Sequence, residues 1–221
     1  MTSFDEILKT AERKAGGPAK LEERLPTPKT AAELRKTPDH RYLSLMSLRV
    51  FQAGLKHSLV EARWPAFEEA FLGFEPARVA AMPDEAVEAL LKDARLIRHW
   101  GKLRSVPANA AAMREIAGEC GGVGRWLAEW PVGRTVELWD ELAKRFSQMG
   151  GNSGPMFLRM AGKDTFILTE DVGKALVRWA GLPGPPKGKK ERARAQEAFN
   201  AWAEETGRPL CHLSRILAAS V

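Results

Sequence analysis

The segment that most limits how this chain can fold is the glycine-rich run from Gly150 to Gly154, which lies between two segments with helical patterns. Three glycines in five residues permit positive φ angles and a close approach of the backbone to another molecule. Phe146 and Met149 precede the run, and Met156 and Phe157 follow it, so apolar side chains would hold both helices against a core. Bare amides in such a turn can bind a phosphate. We predict a helical hairpin near residues 140–162, although a plain helix end followed by a loop also fits this window.

The composition is that of a globular protein with a mild positive charge. The 221 residues carry 34 Lys and Arg against 28 Asp and Glu, a net charge of +6, which is compatible with a polyanionic partner. The two cysteines, Cys120 and Cys211, form no CxxC motif, so neither a zinc site of four cysteines nor an iron–sulfur cluster is expected. The absence of a signal sequence and of a long apolar stretch predicts a soluble, cytoplasmic protein without membrane contact.

Hydrophobic periodicity predicts helices along almost the whole chain. Residues 1–38 contain one short helical pattern and several Gly and Pro breakers, which predicts a solvated N-terminal arm. One domain would then span residues 39–221, and its clearest helix would run from Asp84 to Ile97. The only β-like run is Thr165–Leu168, which is too short to indicate a sheet. The predicted fold class is all-α.

Four segments in order carry a family resemblance. They are Phe51-Gln-Ala-Gly-Leu55, Phe74-Glu-Pro-Ala-Arg-Val-Ala80, the run Leu96–Leu103 followed by Asn109-Ala, and Lys144-Arg-Phe with the glycine turn. Over roughly residues 39–162 the chain resembles the DNA-3-methyladenine glycosylase I family. This resemblance implies a helix-hairpin-helix glycosylase fold with two helical lobes around a cleft. It also implies hydrolysis of the N-glycosidic bond of alkylated adenine.

The resemblance places a base pocket at the Gln-Ala-Gly-Leu turn, where the chain departs from the family. Arg49 stands where the family has an acidic residue, and His57 stands where it has Trp. His57 would hydrogen-bond a flipped base, on which Phe51 would stack. The family's zinc site has no counterpart in the cysteine and histidine positions of this chain, and we predict neither a metal nor a cofactor. The expected pocket consists of Arg49, Phe51, Gln52, His57 and Trp100.

A carboxylate is needed for the chemistry that the resemblance implies. Glycosidic cleavage builds positive charge on the sugar, and a buried carboxylate stabilises that charge or orients the attacking water. In the wider superfamily an aspartate follows the hairpin at about the distance of Asp171, with Glu170 as the second candidate. Either residue would serve equally well as a helix N-cap. Bifunctional relatives have a Schiff-base lysine near the position of Gly154, so this chain is expected to be monofunctional, without strand cleavage.

Two further groups are expected to bind the DNA backbone. The hairpin would use the amides of the turn, and a basic segment from Arg95 to Arg104 would contribute side chains, unless it is a solvated helix face. A second basic cluster, from Lys187 to Arg194, is better explained as a solvated linker. The expected backbone contacts are Gly150, Gly151, Asn152, Ser153, Gly154, Arg98 and Lys102.

The leading hypothesis is a monomeric, monofunctional DNA glycosylase that flips alkylated bases of the 3-methyladenine type out of double-stranded DNA. The alternative is a non-catalytic helix-hairpin-helix protein that binds damaged or distorted DNA, which Arg49 favours. A third hypothesis is an all-α interaction protein with no role on nucleic acid, which would show no salt-dependent DNA binding.

Overall fold

The computed structural model describes residues 2–221 and confirms the all-α class, since those residues contain helices and no strand. Three 3₁₀ turns, Leu72–Phe74, Leu90–Lys92 and Val132–Arg134, join some of the helices. No helix in this range is both long and apolar enough to cross a membrane. The helices are α1 (Phe4–Ala15), α2 (Pro18–Glu22), α3 (Ala31–Lys36), α4 (Asp39–Gln52), α5 (His57–Ala70), α6 (Pro76–Ala80), α7 (Asp84–Ala89), α8 (Trp100–Cys120), α9 (Val123–Glu129), α10 (Thr135–Arg145), α11 (Ser153–Ala161), α12 (Glu170–Ala180), α13 (Lys189–Thr206) and α14 (Leu210–Ala219).

The helices form two units that are discontinuous in sequence. The terminal unit comprises residues 2–28, 131–138 and 162–221, and the central unit comprises residues 29–130 and 139–161. Helix α10 begins in the terminal unit and ends in the central unit. This division differs from the predicted arm over residues 1–38 followed by a single domain.

The terminal unit has a core between α1, α12, α13 and α14. Phe4 and Ile7 of α1 are buried, and Phe4 lies 5.9 Å from the ring of Trp202. The Trp202 indole donates a hydrogen bond to the carbonyl of Thr2 over 3.1 Å. The solvated arm expected at the N-terminus is therefore wrong for α1, because its apolar stripe packs with α14 at the other end of the chain.

The central unit is built around α4, which packs with α5, α8 and α11. A cluster of five rings lies beside it, made of Phe51, Trp64, Phe67, Phe71 and Phe74 with neighbouring ring centroids 4.5–6.4 Å apart. The predicted long helix from Asp84 to Ile97 is wrong. Helix α7 ends at Ala89, and the Asp93 carboxylate accepts hydrogen bonds from the backbone and guanidinium of Arg95. Such side-chain bonds to the local backbone compete with helix continuation.

A close contact joins α3 and α9 in the central unit. The carbonyl of Leu34 accepts a hydrogen bond of 2.8 Å from the Tyr42 hydroxyl, and Gly124 lies directly beside it. A Cβ at Gly124 would stand 2.3 Å from that carbonyl oxygen. Only glycine fits between these two helices.

Candidate functional site

The predicted hairpin is present, as α10, a turn over residues 146–152, and α11. Gly150, Gly151 and Asn152 are exposed, and Gly151 has a φ of 59°. The amides of Ser153 and Gly154 are already used, since they donate to the carbonyls of Gly150 and Met149 over 3.2 Å. The loop therefore presents backbone to solvent at residues 150–152, whereas the predicted bare amides are wrong for the other two positions.

Asn109 holds the beginning of the hairpin turn. Its amide nitrogen donates to the carbonyl of Ser147 over 3.2 Å, and its carbonyl oxygen accepts from the Ser147 amide over 2.7 Å. Asn109 is almost fully buried on α8. A paired bond of this kind replaces the backbone partner that Ser147 lacks at the end of α10, so the turn is fixed to the core of the central unit.

Gly154, the last glycine of the run, serves packing. A Cβ there would lie 3.0 Å from the carbonyl oxygen of Met149 and 3.4 Å from Leu142. Any side chain at Gly154 would therefore push against the turn. This is also the position near which bifunctional relatives are expected to have lysine. Monofunctional hydrolysis without strand cleavage remains a prediction. The lack of space for a lysine side chain at Gly154 is consistent with it.

The turn between α4 and α5 carries the Gln-Ala-Gly-Leu motif. Gly54 has a φ of 76°, and Leu55 is 40% exposed at the turn. The Lys102 amine donates to the carbonyls of Phe51 and Ala53 over 3.2 and 2.6 Å. Lys102 therefore caps the C-terminal end of α4, so two of its three N–H groups are already used and at most one remains for the predicted phosphate contact.

Two of the predicted pocket residues are inaccessible. The Phe51 ring is fully buried, with its centroid 4.5 Å from that of Phe67. Gln52 is 5% exposed, and its amide donates to Glu61 over 3.0 Å. A base therefore has no accessible face of Phe51 to stack on, contrary to the prediction, and Gln52 serves the local structure.

The other pocket residues remain available at the same turn. His57 is exposed as the first residue of α5, and Trp100 is 39% exposed as the first residue of α8. Because Lys102 in the first turn of α8 binds the motif carbonyls, the beginning of α8 lies at this turn. Arg49 is half-buried in the last turn of α4.

The two predicted catalytic carboxylates lie in the terminal unit on the surface of α12. The Glu170 and Asp171 side chains are 83% and 61% exposed, and the Lys174 amine lies 2.7 and 3.9 Å from them. The hydrogen bond from Lys174 lowers the pKa of Glu170. Neither residue is the N-cap, because the Thr169 hydroxyl accepts the hydrogen bond from Val172. The expected buried carboxylate is therefore absent at both positions.

Asp164 is a better-held carboxylate that the sequence pattern did not single out. It lies three residues after the end of α11, and it is half-buried. Its two carboxylate oxygens accept hydrogen bonds from the backbone amides of Leu210 and Cys211, each over 2.9 Å. These bonds cap α14, whose N-cap position is Pro209 and lacks a capping side chain. The only feature of the sequence that could have identified Asp164 is its position shortly after the hairpin.

The predicted basic segment divides into paired and unpaired cations. Arg95 binds Asp93 and Glu69 over 2.9 and 2.8 Å. Arg98 and Arg104 are exposed, and among residues 2–221 neither has a carboxylate within ion-pair distance. A phosphate could therefore bind Arg98 without displacing an ion pair.

The donor set for a metal is missing from the described chain. Residues 2–221 contain no group of three His, Cys, Asp or Glu side chains arranged to hold an ion. Cys120 is half-buried and Cys211 is buried, and neither forms a disulfide. These residues therefore do not offer the ligands of the zinc site that the family resemblance implies.

The helices and the glycine turn, which Asn109 holds in place, are those of a helix-hairpin-helix DNA glycosylase fold. This fold is the class to which the protein belongs. Among solved structures, 3-methyladenine DNA glycosylase I of Staphylococcus aureus superposes with a TM-score of 0.52 at 20% identity, over 75% of this chain and 88% of that one. The 8-oxoguanine DNA glycosylase of Methanocaldococcus jannaschii superposes with a TM-score of 0.59 at 12% identity, over 96% and 91%. Likenesses at these identities establish the fold.

The chain belongs to the methyladenine glycosylase family, whose sequence model matches residues 34–149. The DNA-3-methyladenine glycosylase 1 of Escherichia coli (strain K12) is 36% identical over 77 residues. That alignment spans 35% of this chain and 41% of the Escherichia coli protein. The family match contains Arg49, the motif turn and Asn109, and it ends just before the exposed glycines of the hairpin.

Proposed function

We propose that this protein is a monofunctional DNA glycosylase that removes alkylated purines from double-stranded DNA by base flipping and hydrolysis. Membership of the methyladenine glycosylase family is the observation that carries the proposal. The exposed glycines Gly150 and Gly151 support it, because backbone groups there can approach a phosphate without a side chain in between. The monomeric state and the cytoplasmic location stay predictions from the sequence.

Alkylation does much of the chemical work in this mechanism. A purine nucleotide alkylated at N3 or N7 carries positive charge on the base, so the base leaves the sugar readily and needs little help from an acid. The protein would extrude the nucleotide, exclude bulk water and stabilise the positive charge that develops on the sugar. The base departs as a neutral molecule with the electron pair of the glycosidic bond, and water adds to the anomeric carbon and releases a proton to the solvent.

Asp164 is our leading candidate for the carboxylate that attends the sugar. Its two backbone hydrogen bonds fix its orientation, whereas Asp171 is exposed and has Lys174 as a neighbour. A fixed charge stabilises a developing cation without reorganisation, which a mobile surface carboxylate cannot do. Asp171 and Glu170 remain the second candidates, and the same assay tests all three.

The proposed activity is tested by incubating the protein with methylated duplex DNA and measuring free bases by mass spectrometry. Release of methylated purines above the spontaneous rate, with abasic strands left uncut, supports the proposal. No release of methylated purines from methylated duplex DNA would exclude it.

Leu55 is expected to occupy the gap that an extruded base leaves in the duplex. An exposed leucine on a tight turn has the shape of an apolar wedge, and filling the gap offsets the cost of unstacking. We expect Leu55→Ala to lower the rate of base release about tenfold, with little change in thermal stability because the side chain is exposed. Leu59→Ala is the matched control, since Leu59 is 46% exposed on α5. Equal losses in both variants would argue against a wedge.

Arg98 is expected to contact the DNA backbone. Removing one phosphate contact weakens binding to all sequences alike and reduces the slope of log K against log salt by about 1. We expect this result for Arg98→Ala in fluorescence anisotropy with a labelled duplex. Arg95→Ala is the control, because Arg95 is already neutralised by Asp93 and Glu69. A control variant that loses as much affinity would show that only the overall charge matters.

The second candidate function is binding of damaged or distorted DNA without catalysis. Arg49 favours it, since a cation replaces the acid that the family resemblance implies at this position. Tight binding to abasic or bent duplexes, together with no release of any base, would establish this function instead.

A further inference from the structure

Arg49 and Lys102 bring two positive charges to the turn between α4 and α5. The buried Nε of Arg49 has no hydrogen-bond partner among residues 2–221. Burial lowers the pKa of Arg49, and burial together with the charge of Arg49 lowers the pKa of Lys102. No carboxylate of the described chain contributes to either shift. The turn is therefore positive and has no acid to balance it.

The two cations have different duties. The Lys102 amine donates to the carbonyls of Phe51 and Ala53, so it stabilises the conformation of the turn. Arg49 has no ion pair within the described part of the chain, and it lies one turn of helix before the motif. A guanidinium offers five N–H donors and no acceptor. The residue that remains free to meet a ligand at this turn is thus purely a donor.

We infer that Arg49 makes this protein prefer alkylated guanine to alkylated adenine. The inference rests on the proposed glycosylase function, in which Leu55 of this turn fills the gap that the extruded base leaves. Guanine presents the O6 acceptor where adenine presents an amino donor. The N–H donors of Arg49 can bind guanine O6, whereas they leave the adenine amino group without an acceptor. Both alkylated nucleotides carry similar positive charge, so repulsion by Arg49 and Lys102 acts on both and does not discriminate between them.

Competition on one substrate tests the preference. Duplex DNA treated with a methylating agent contains 7-methylguanine and 3-methyladenine, and each released base is divided by its initial amount and corrected for spontaneous loss. We expect wild type to favour 7-methylguanine by about tenfold or more, the discrimination of one good hydrogen-bonded pair. Arg49→Glu should invert the ratio, because a carboxylate accepts from the adenine amino group. Arg49→Gln, which both donates and accepts, should bring the ratio near one.

Binding of the free bases separates this inference from the proposed activity. Free 7-methylguanine and 3-methyladenine are neutral, so their affinities report hydrogen bonding without the charge of the nucleotide. Tryptophan fluorescence is a suitable readout, since Trp100 is 39% exposed at this turn. Circular dichroism establishes that each variant is folded.

The outcomes fall into separate groups. Tighter binding of 7-methylguanine, lost in Arg49→Glu, supports the inference even if no base is released from DNA. Release or binding that favours 3-methyladenine in both wild type and Arg49→Glu overturns it and leaves the glycosylase function intact. Equal treatment of the two bases by wild type also overturns it, as does the absence of binding to either base.

Discussion

Replacing Asp164 by Asn should lower the rate of base release about a hundredfold, because the sugar cation would lose its fixed counter-charge. The Asn side chain keeps the size of Asp but only one acceptor oxygen, so one of the two backbone amides that now bind the carboxylate, of Leu210 and Cys211, loses its partner. The variant should therefore lose some stability as well, and the loss of rate is measured at a temperature at which the variant is fully folded. Single-turnover release of methylated purines, measured with enzyme in excess over DNA, reports the chemical step directly.

Asp171→Asn and Glu170→Gln are the matched controls for this prediction. Both carboxylates are exposed, and each lies within ion-pair distance of Lys174, so their removal should change the rate less than about twofold. A large loss in Asp171→Asn with normal activity in Asp164→Asn would reverse the assignment. Thermal denaturation of all three variants identifies any loss that comes from the α14 cap.

Gly124→Ala should strongly destabilise the central unit. The new Cβ would lie 2.3 Å from the Leu34 carbonyl oxygen, and the clash is with backbone, which cannot rotate away. Helices α3 and α9 would have to separate, which would also weaken the hydrogen bond from Tyr42 to that carbonyl. We expect a loss of about 3 kcal/mol in the free energy of unfolding. Denaturant titration followed by circular dichroism would measure it.

Gly118→Ala is the control for the effect of glycine replacement itself. Gly118 lies within α8, and a Cβ there would meet no atom within 4 Å. This variant should gain about 1 kcal/mol, because alanine favours the helix over glycine. Opposite signs for the two substitutions would establish that the contact with Leu34, and not helix propensity, decides the outcome at Gly124. A stable Gly124→Ala protein would contradict the close packing of α3 and α9.

The sequence was sufficient for the helical class and for the hairpin. Both depend on local signals: the apolar stripes that mark helices, and the glycines that mark a turn with positive φ. The helix limits were less predictable. Asp84–Ile97 has a good helical stripe, yet Asp93 captures the backbone of Arg95 and ends the helix early. The hydrogen bond from the Arg95 amide to the Asp93 side chain favours a turn, although the apolar periodicity favours a helix.

The candidate site depends on pairs of residues far apart in sequence, which periodicity does not encode. Asn109 holds Ser147, 38 residues later, and Asp164 caps a helix that begins 46 residues later. Burial is equally hidden, since Phe51 lies in the motif that carries the family resemblance but is enclosed by other rings. For the same reason the sequence around α1 predicts a solvated arm, because its partner α14 lies at the other end of the chain.

The pairing of α1 with α14 has a consequence for how the protein is made. Helix α1 packs with α14, and the hydroxyl of Ser3, just before α1, donates a hydrogen bond to Glu205 near the end of α13. During synthesis α1 therefore has neither partner until the ribosome has passed residue 205. During that interval its apolar face, with Phe4 and Ile7, stays open to solvent or to a chaperone. The central unit needs only residues as far as Ala161 and can collapse first. Termination of synthesis within α14 would thus leave a folded central unit and an incomplete terminal unit with exposed apolar surface.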